Sequence, residues 1–446
     1  MKWEGKRVLV VGLGESGKAA ARYATARGAR VTATDRRSLS ELGETAEEMG
    51  KLNVQFELGG HAEGVFLSQD LIVPSPGVPW NLPELEAARR HGVAVMGELE
   101  VATGALKGPV IGVTGTNGKT TTTSLIGHIF EMAGVPVAAG GNLGTPVLAM
   151  VDESSDERWN VLELSSFQLE ATESFPVHIG VVLNVTPDHL DRHGTFEAYA
   201  AAKGKIFQEQ TASDYAVLHA DDAACRGFAA QTAGESHWFS RTRRYEPGAW
   251  VQGESIVCDS EAVAGLPLPI PGPHNLENAL AAVTATSLAG IGAESIAKGL
   301  ETFRTTEHRL ELVAEINGVA YYNDSKATNV DAAVKAVETF DGWLWVILGG
   351  SDKGLAYADL KEPLRGRARA ALLIGESAPK IERELSGAAP LIQSGTLAEA
   401  VRYAHAHAES GDTVLLSPAC ASFDQFRNYG ERGSRFKEIV LELRET

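Results

Sequence analysis

Cysteine is scarce in this chain. Cys225, Cys258 and Cys420 are the only three in 446 residues, too few and too scattered for a disulfide framework or for the closely spaced ligand pairs of a structural zinc site. That excludes a small disulfide scaffold, and a reducing cytoplasm is the expected compartment. Positive charge is short as well. Forty Lys and Arg face 58 Asp and Glu, a net charge of −18; a surface of that sign disfavours nucleic acid and anionic membrane, which need a basic face. Local basic pockets for phosphate stay compatible with it. Long apolar runs are missing too. No stretch approaches the ~20 residues of a membrane span, and Arg7–Val11, close to the N-terminus, is too short for a signal-peptide core. No internal repeat or low-complexity segment stands out, and the length suits roughly three domains.

What is present is a series of apolar strands that end in glycine or polar clusters. Val8 to Val11 break into Gly12-Leu13-Gly14-Glu15-Ser16-Gly17, a helix is predicted over Lys18 to Ala26, and a second strand, Ala29 to Thr34, ends at Asp35. This is a βαβ unit with a G-x-G-x-x-G turn, a pattern shared by dinucleotide sites and other phosphate-bearing ligands. The strand Leu71 to Val73, a helix around Pro83 to Arg90 and then Gly97-Glu98 close the first domain. A second α/β region carries strands at Val161 to Leu164 and Ile179 to Val185 and closes with the helix after Pro273-His274-Asn275. In the third, Trp343 to Leu348, Ala370 to Ile374 and Thr413 to Leu416 read as buried parallel strands.

The most informative run is Ile111-Gly112-Val113-Thr114-Gly115-Thr116-Asn117-Gly118-Lys119-Thr120-Thr121-Thr122. Between a strand and a helix, its glycines let backbone N–H groups close on an anion, Lys119 brings a charge to the phosphates, and the Thr120 hydroxyl can reach Mg²⁺. ATP is therefore the expected nucleotide. Val113 stands where the general P-loop spacing asks for glycine. Glu163, at a predicted strand end, is suited to an oxygen-seeking metal. Asp188, His189 and Asp191 follow another strand end within a few residues, a density that packing does not require. Lys203, on an alanine-rich helix, reads by composition as an ordinary solvated lysine.

The run G-x-T-G-T-N-G-K-T-T resembles that of the Mur ligases and folylpolyglutamate synthetases rather than P-loop proteins at large. Glu163-Leu164-Ser165-Ser166-Phe167-Gln168-Leu169, Asn184 to Asp191, Gly272-Pro273-His274-Asn275-Leu276-Glu277-Asn278-Ala279, His308-Arg309 and Asp324-Ser325-Lys326-Ala327-Thr328-Asn329 resemble further Mur ligase motifs, in order along the chain. The last, with Leu416 to Phe426, resembles the branch of the family that adds D-glutamate, and no D-N-P-R sequence of the diaminopimelate-adding branch occurs.

That resemblance implies an α/β fold of three domains: a Rossmann-like UDP-sugar domain at 1–98, a central P-loop-type ATPase domain with a mainly parallel sheet at 99–305, and a C-terminal Rossmann-like domain at 306–446. It implies an ATP-dependent ligase joining D-glutamate to UDP-N-acetylmuramoyl-L-alanine through an acyl phosphate, in peptidoglycan precursor synthesis, acting as a monomer without nucleic-acid or membrane partners. By the same resemblance Gly115, Thr116, Asn117, Gly118, Lys119, Thr120, Thr121, Thr122, Asn278, Arg309 and Asp324 bind ATP. Gly14, Glu15, Ser16, Asp35, Arg36, Ser75, Gly77, Asn142, Ser165 and Gln168 hold the UDP-sugar. Lys326, Thr328, Lys353, Ser422 and Tyr429 grip D-glutamate. Two Mg²⁺ sites are implied, with Thr120, Glu163, His189 and a carbamylated Lys203 as ligands; spacing from Tyr199 favours Lys203 over Lys205. Lys119, Glu163, His189, Lys203 and Arg309 form the implied catalytic set. Readings of other kinds remain open on the residues alone: a dehydrogenase, from the first glycine turn, or a nucleotide-sensing module that releases no phosphate. Within the ligases, another acceptor amino acid is the nearest rival.

Overall fold

A computed structural model describes residues 1–142, 144–304, 307–352, 354 and 356–444. The chain divides into two compact units, residues 1–267 with 277–301, and residues 268–276 with 302–446. The first unit holds two sheets and the second holds one.

The first sheet contains β1 (Arg7–Val11), β2 (Arg30–Asp35), β3 (Gln55–Leu58), β4 (Leu71–Pro74) and β5 (Ala94–Val95) in the order β3-β2-β1-β4-β5, all parallel. Val8, Val10 and Val73 pack into one core, Leu9, Val11 and Ile72 into another on the opposite face; burial on both faces is why these strands read as unbroken apolar runs. The direction in which successive strands are added reverses between β1 and β4. The crevice outside their carboxyl ends is where open parallel sheets bind ligands.

The second sheet holds β6 (Val110–Thr114), β7 (Val137–Gly141), β8 (Trp159–Glu163), β9 (Ile179–Val182), β10 (Tyr215–His219), β11 (Glu235–Ser240), β12 (Gly248–Gln252), β13 (Ser255–Cys258) and β14 (Glu261–Gly265). Their order is β14-β13-β12-β11-β10-β9-β6-β8-β7. All are parallel as far as β12, and β12-β13-β14 are antiparallel. The phosphate-loop strand β6 thus lies between β8 and β9, again at a switch point.

The third sheet comprises β15 (Glu311–Ile316), β16 (Val319–Asn323), β17 (Leu344–Gly349), β18 (Ala368–Ile374), β19 (Leu391–Gly395) and β20 (Thr413–Leu416), ordered β15-β16-β20-β17-β18-β19. Its side chains alternate. Val346, Leu348 and Leu415 face a core with Val330, Ile381 and Leu385, whereas Trp345, Ile347, Val414 and Leu416 face another with Leu397, Val401 and Phe436. Helices over 330–338 and 378–385 cover one side, and helices over 397–407 and 429–442 the other.

Expected elements shift by a residue or more at their ends. The first helix begins at Glu15 rather than Lys18, because Gly14 takes the extended N-cap conformation; β2 runs one residue later than expected, and β18 begins two residues earlier. The hairpin β15–β16 and the antiparallel extension β12–β14 had no counterpart in the sequence reading. Their turns at Asn317-Gly318 and Asp259-Ser260 have positive φ at both positions, the geometry of two-residue hairpin turns, and Asn317-Gly318 is a legible hairpin signal.

Candidate active site

At the end of β6 the loop closes on itself. Gly115 and Gly118 have φ of +148° and +87°, and a Cβ on Gly118 would lie 2.2 Å from Asn278 Oδ1. Thr116 N donates to Asn184 O at 2.9 Å, Asn117 N donates to Asn184 Oδ1 at 2.9 Å, and Asn184 Nδ2 returns a bond to Asn117 O at 3.1 Å. Thr116 Oγ1 donates to Thr186 O at 3.0 Å and lies 3.1 Å from the Tyr199 hydroxyl. The helix Lys119–Met132 starts directly after this cradle, with Thr120, Thr121 and Thr122 buried in its first turn. The N-terminal N–H groups of this helix and the absence of room for side chains fit a phosphate chain.

Two ammonium groups share one carbonyl. Lys119 Nζ donates to Gly115 O at 2.8 Å and to Thr116 O at 2.7 Å, while Lys203 Nζ donates to the same Gly115 O at 2.8 Å. Lys203 is 1% exposed, its Nζ 4.4 Å from the Tyr199 ring centroid. Burial, followed by repulsion from Lys119, drives its pKa well below the usual lysine value against the opposing pull of Asp188, Cys225 and Glu163. Lys205 instead points to Glu170 O and Thr172 O, at 2.8 and 3.1 Å.

Glu163 closes β8 in register with Val113 of β6, is 2% exposed, and accepts from Asn142 Nδ2 at 2.6 Å. His189 takes a left-handed backbone, φ +52°, its ring centroid 4.9 Å from that of Phe167 and its Nε2 3.7 Å from Asp188 Oδ2. Among the described residues no group of three or more His, Cys, Asp or Glu gathers as a metal cluster. The implied ligand set draws only Glu163 and His189 from those types. The Thr120 hydroxyl, in the first turn of the helix after β6, and the Glu163 carboxylate, at the end of the neighbouring strand β8, fit a hard cation that prefers oxygen.

A cavity of about 530 Å³ opens at the switch point of the first sheet. Gly14, Glu15, Ser16, Asp35, Ser75, Gly77, Asn142 and Gln168 line it; so does Arg37, which the sequence reading passed over, whereas Arg36 and Ser165 are not in the lining. Burial works to raise the Asp35 pKa, but bonds from Arg37 and from Leu13 N hold it at about 2. Asp35 thereby fastens the glycine turn. Ser165 and Gln168 form a reciprocal capping box for the helix Ser166–Glu170. Glu98, read in the sequence only as a boundary, is a buried acid whose Oε1 accepts from Leu148 N at 3.3 Å.

In the second unit the runs 324–329, 417–426 and 350–352 follow β16, β20 and β17, which are adjacent. Arg309 lies between two residues of positive φ, His308 and Leu310. Asp324 accepts from Ser417 Oγ at 3.0 Å and Leu310 N at 3.3 Å; burial raises its pKa to about 7, opposed by Ser417 and Arg309. Lys326 Nζ sits 5.2 Å from the Tyr429 ring centroid, and Ser325 Oγ donates to Tyr429 O at 2.8 Å. Thr328 N donates to Lys326 O at 2.8 Å, and Ser422 is buried. Lys353 lies outside the described residues. Asn275 donates its side-chain amide to Pro271 O at 2.7 Å.

Three family descriptions match the chain in order: the Mur ligase MurD-like N-terminal domain over residues 6–97, the Mur ligase middle domain over 113–286, and the Mur ligase glutamate ligase domain over 308–420. A protein of Solibacter usitatus named UDP-N-acetylmuramoylalanine--D-glutamate ligase is 56% identical over 442 residues, covering 99% of this chain and 98% of that relative. One of the same name from Acidobacterium capsulatum is 52% identical over 448 residues, covering 99% and 97%. The chain belongs to the Mur ligase family. Among solved structures it is similar to UDP-N-acetylmuramate-alanine ligase MurC of Thermotoga maritima, with a TM-score of 0.66, 19% identity and coverage of 98% of this chain and 100% of that one. At that identity the likeness speaks for the fold alone.

Two polar residues of this Mur ligase escaped the sequence reading. Arg432, 1% exposed, donates to Ser325 Oγ and Ser325 O at 3.0 and 2.8 Å and to Cys420 O at 3.1 Å, so it pins two of the motifs together. Tyr357 is buried behind them. Both sit in helical or turn segments of ordinary polar composition, and nothing in their local sequence marks them.

Proposed function

We propose that the protein is an ATP-dependent ligase that joins the terminal carboxylate of UDP-N-acetylmuramoyl-L-alanine to the amine of D-glutamate. Relatives that are 46–56% identical over nearly the whole chain carry the corresponding name. The single structural observation behind it is the phosphate cradle 115–119, with Glu163 on the adjacent strand end and buried Lys203 bonded to Gly115 O. Bound ATP and Mg²⁺ supply the transferable phosphoryl group and offset its charge, so that the carboxylate becomes an acyl phosphate from which the amine of D-glutamate displaces phosphate.

The chain's own residues do the positioning. Backbone N–H groups of the 115–119 loop hold the phosphate chain, and Lys119 swings from its carbonyls to the transferring group. Thr120, Glu163 and His189 would hold the metal, joined by Lys203 once its neutral amine has added CO₂ and released a proton to solvent, leaving an anionic carbamate. The cavity at the first glycine turn takes the UDP-sugar, with Ser16 and the backbone around Gly14 facing its diphosphate. Lys326, Thr328, Lys353, Ser422 and Tyr429 hold the acceptor, whose two carboxylates call for cations and donors. Peptidoglycan precursor synthesis in the cytoplasm, by a monomer, is the setting we infer.

Phosphate release with UDP-N-acetylmuramoyl-L-alanine, ATP and a panel of amino acids tests this reading. D-Glutamate should be required and L-glutamate, D-alanine, lysine and diaminopimelate should fail. Equal turnover with one of the others would reassign the acceptor while leaving the ligase chemistry in place, and NADH oxidation without phosphate release would overturn it.

A further inference from the structure

Residues 349–352 are tied to the segment that carries Ser422 by a chain of polar groups in which Tyr357, Ser377 and Cys420 are buried and Asp352 is exposed. On the surface of that contact, Gly349 N donates to Pro418 O at 2.8 Å and Ser351 N to Ala421 O at 3.0 Å. Beneath it, the Tyr357 hydroxyl donates to Asp352 Oδ1 at 3.3 Å and lies 3.1 Å from Cys420 Sγ. Ser377 Oγ lies 3.2 Å from the same sulfur and accepts from Gly350 N at 3.1 Å. Asp352 also accepts from Gly354 N at 2.9 Å and from Lys380 Nζ at 3.0 Å. Tyr357, Ser377 and Cys420 are each 1% exposed.

Such groups keep one arrangement. A buried hydroxyl needs a partner, and on its Cys420 side water cannot replace the one it loses. Since the Tyr357 proton goes to Asp352, its lone pairs are left for the thiol, which makes the hydroxyl the junction between the two segments. We propose that Tyr357, acting through Asp352 and Cys420, is a positioning residue that sets residues 349–352 against the 417–422 segment and so fixes Ser422 in the acceptor pocket. This rests on the reading that Ser422 grips the acceptor amino acid. Tyr357 itself touches no substrate; its effect is geometric, and small displacements of binding groups carry large costs in productive binding.

The test uses the full-length protein and five forms: wild type, Tyr357→Phe, Cys420→Ala, Cys420→Ser and the double variant Tyr357→Phe/Cys420→Ala. Steady-state phosphate release gives kcat and the KM of each substrate. Tyr357→Phe and Cys420→Ala should each raise the acceptor KM about tenfold, with kcat and the KM values for ATP and the UDP-sugar within about threefold of wild type. The double variant should be no worse than the worse single one, the mark of groups that act as one chain. Cys420→Ser, whose hydroxyl can take the thiol's place, should stay near wild type.

An unchanged acceptor KM in Tyr357→Phe, or a rise of all three KM values together, would overturn the proposal. Should Tyr357→Phe fail to fold, the contrast between Cys420→Ala and Cys420→Ser decides it in the same way. The wild-type amino-acid panel separates the two readings. If another amino acid is the acceptor, the same ratios are read with it, and if none is accepted both readings fall.

Discussion

Gly115 O accepts from Lys119 and Lys203 at the same distance, 2.8 Å, and a buried site that holds two ammonium groups favours the neutral form of the more enclosed one. Lys203 is that group, and a neutral amine is the form that adds CO₂. Lys203→Ala should lose most turnover, and added formate or acetate should restore part of it by supplying the missing oxygen ligand; a fully active variant would remove Lys203 from the metal site. Asp324 gives a second prediction, with a sign. Its folded-state pKa is raised from 3.8 to about 7, so its contribution to stability is fully present below about pH 4 and is lost as pH rises through 7. Denaturant melts of wild type and Asp324→Asn should therefore diverge between pH 4 and 7, the wild type losing stability relative to the variant as pH rises. Parallel curves would mean that Asp324 is not titrating in that window.

At the scale of elements, most implied motifs follow a strand: β1 in the first sheet, β6, β8 and β9 in the central sheet, β16, β17 and β20 in the third; Gly272–Ala279 opens a helix and His308-Arg309 precedes β15. That was legible, because a parallel strand buried on both faces is a short apolar run and its end is where polarity returns. Partners across such ends were not legible. Ser165 and Gln168, implied as sugar contacts, also spend their side chains on a reciprocal helix cap, and Asp35 spends both oxygens on Arg37 and Leu13 N. Gly118 shows what one loop position carries. Alanine there meets a left-handed φ that costs about 1–2 kcal/mol and a Cβ at 2.2 Å from Asn278 Oδ1, so Asn278 must move. Gly118→Ala should lower the melting temperature by a few degrees and raise the ATP KM more than tenfold while leaving UDP-sugar affinity unchanged. An unaltered ATP KM would dissociate this loop from the nucleotide.

For the whole molecule, the residues assigned to the two substrates fall in different compact units. The cavity at the first glycine turn is lined entirely from the first unit, whereas Lys326 and Thr328 belong to the second. Lys326→Ala should thus raise the acceptor KM about tenfold or more, since an acceptor carboxylate loses a cation, and leave UDP-sugar binding, measured by calorimetry, within about twofold. A parallel loss of sugar-nucleotide affinity would show that Lys326 acts on the fold rather than on the acceptor.

By itself the sequence determined the α/β class, the strand ends that carry the chemistry and the family, because periodicity, glycine turns and contiguous motifs are local in the chain. Only the tertiary structure decided which groups meet. Arg37 rather than Arg36 lines the cavity because Arg37 folds back on Asp35; Lys203 lies under the loop and Lys205 does not because two residues along a helix turn the side chain by about 200°. Glu98, Tyr357 and Arg432 owe their burial to partners 50 to 107 residues away. Those separations are set by the order of strands in each sheet, which no local pattern encodes.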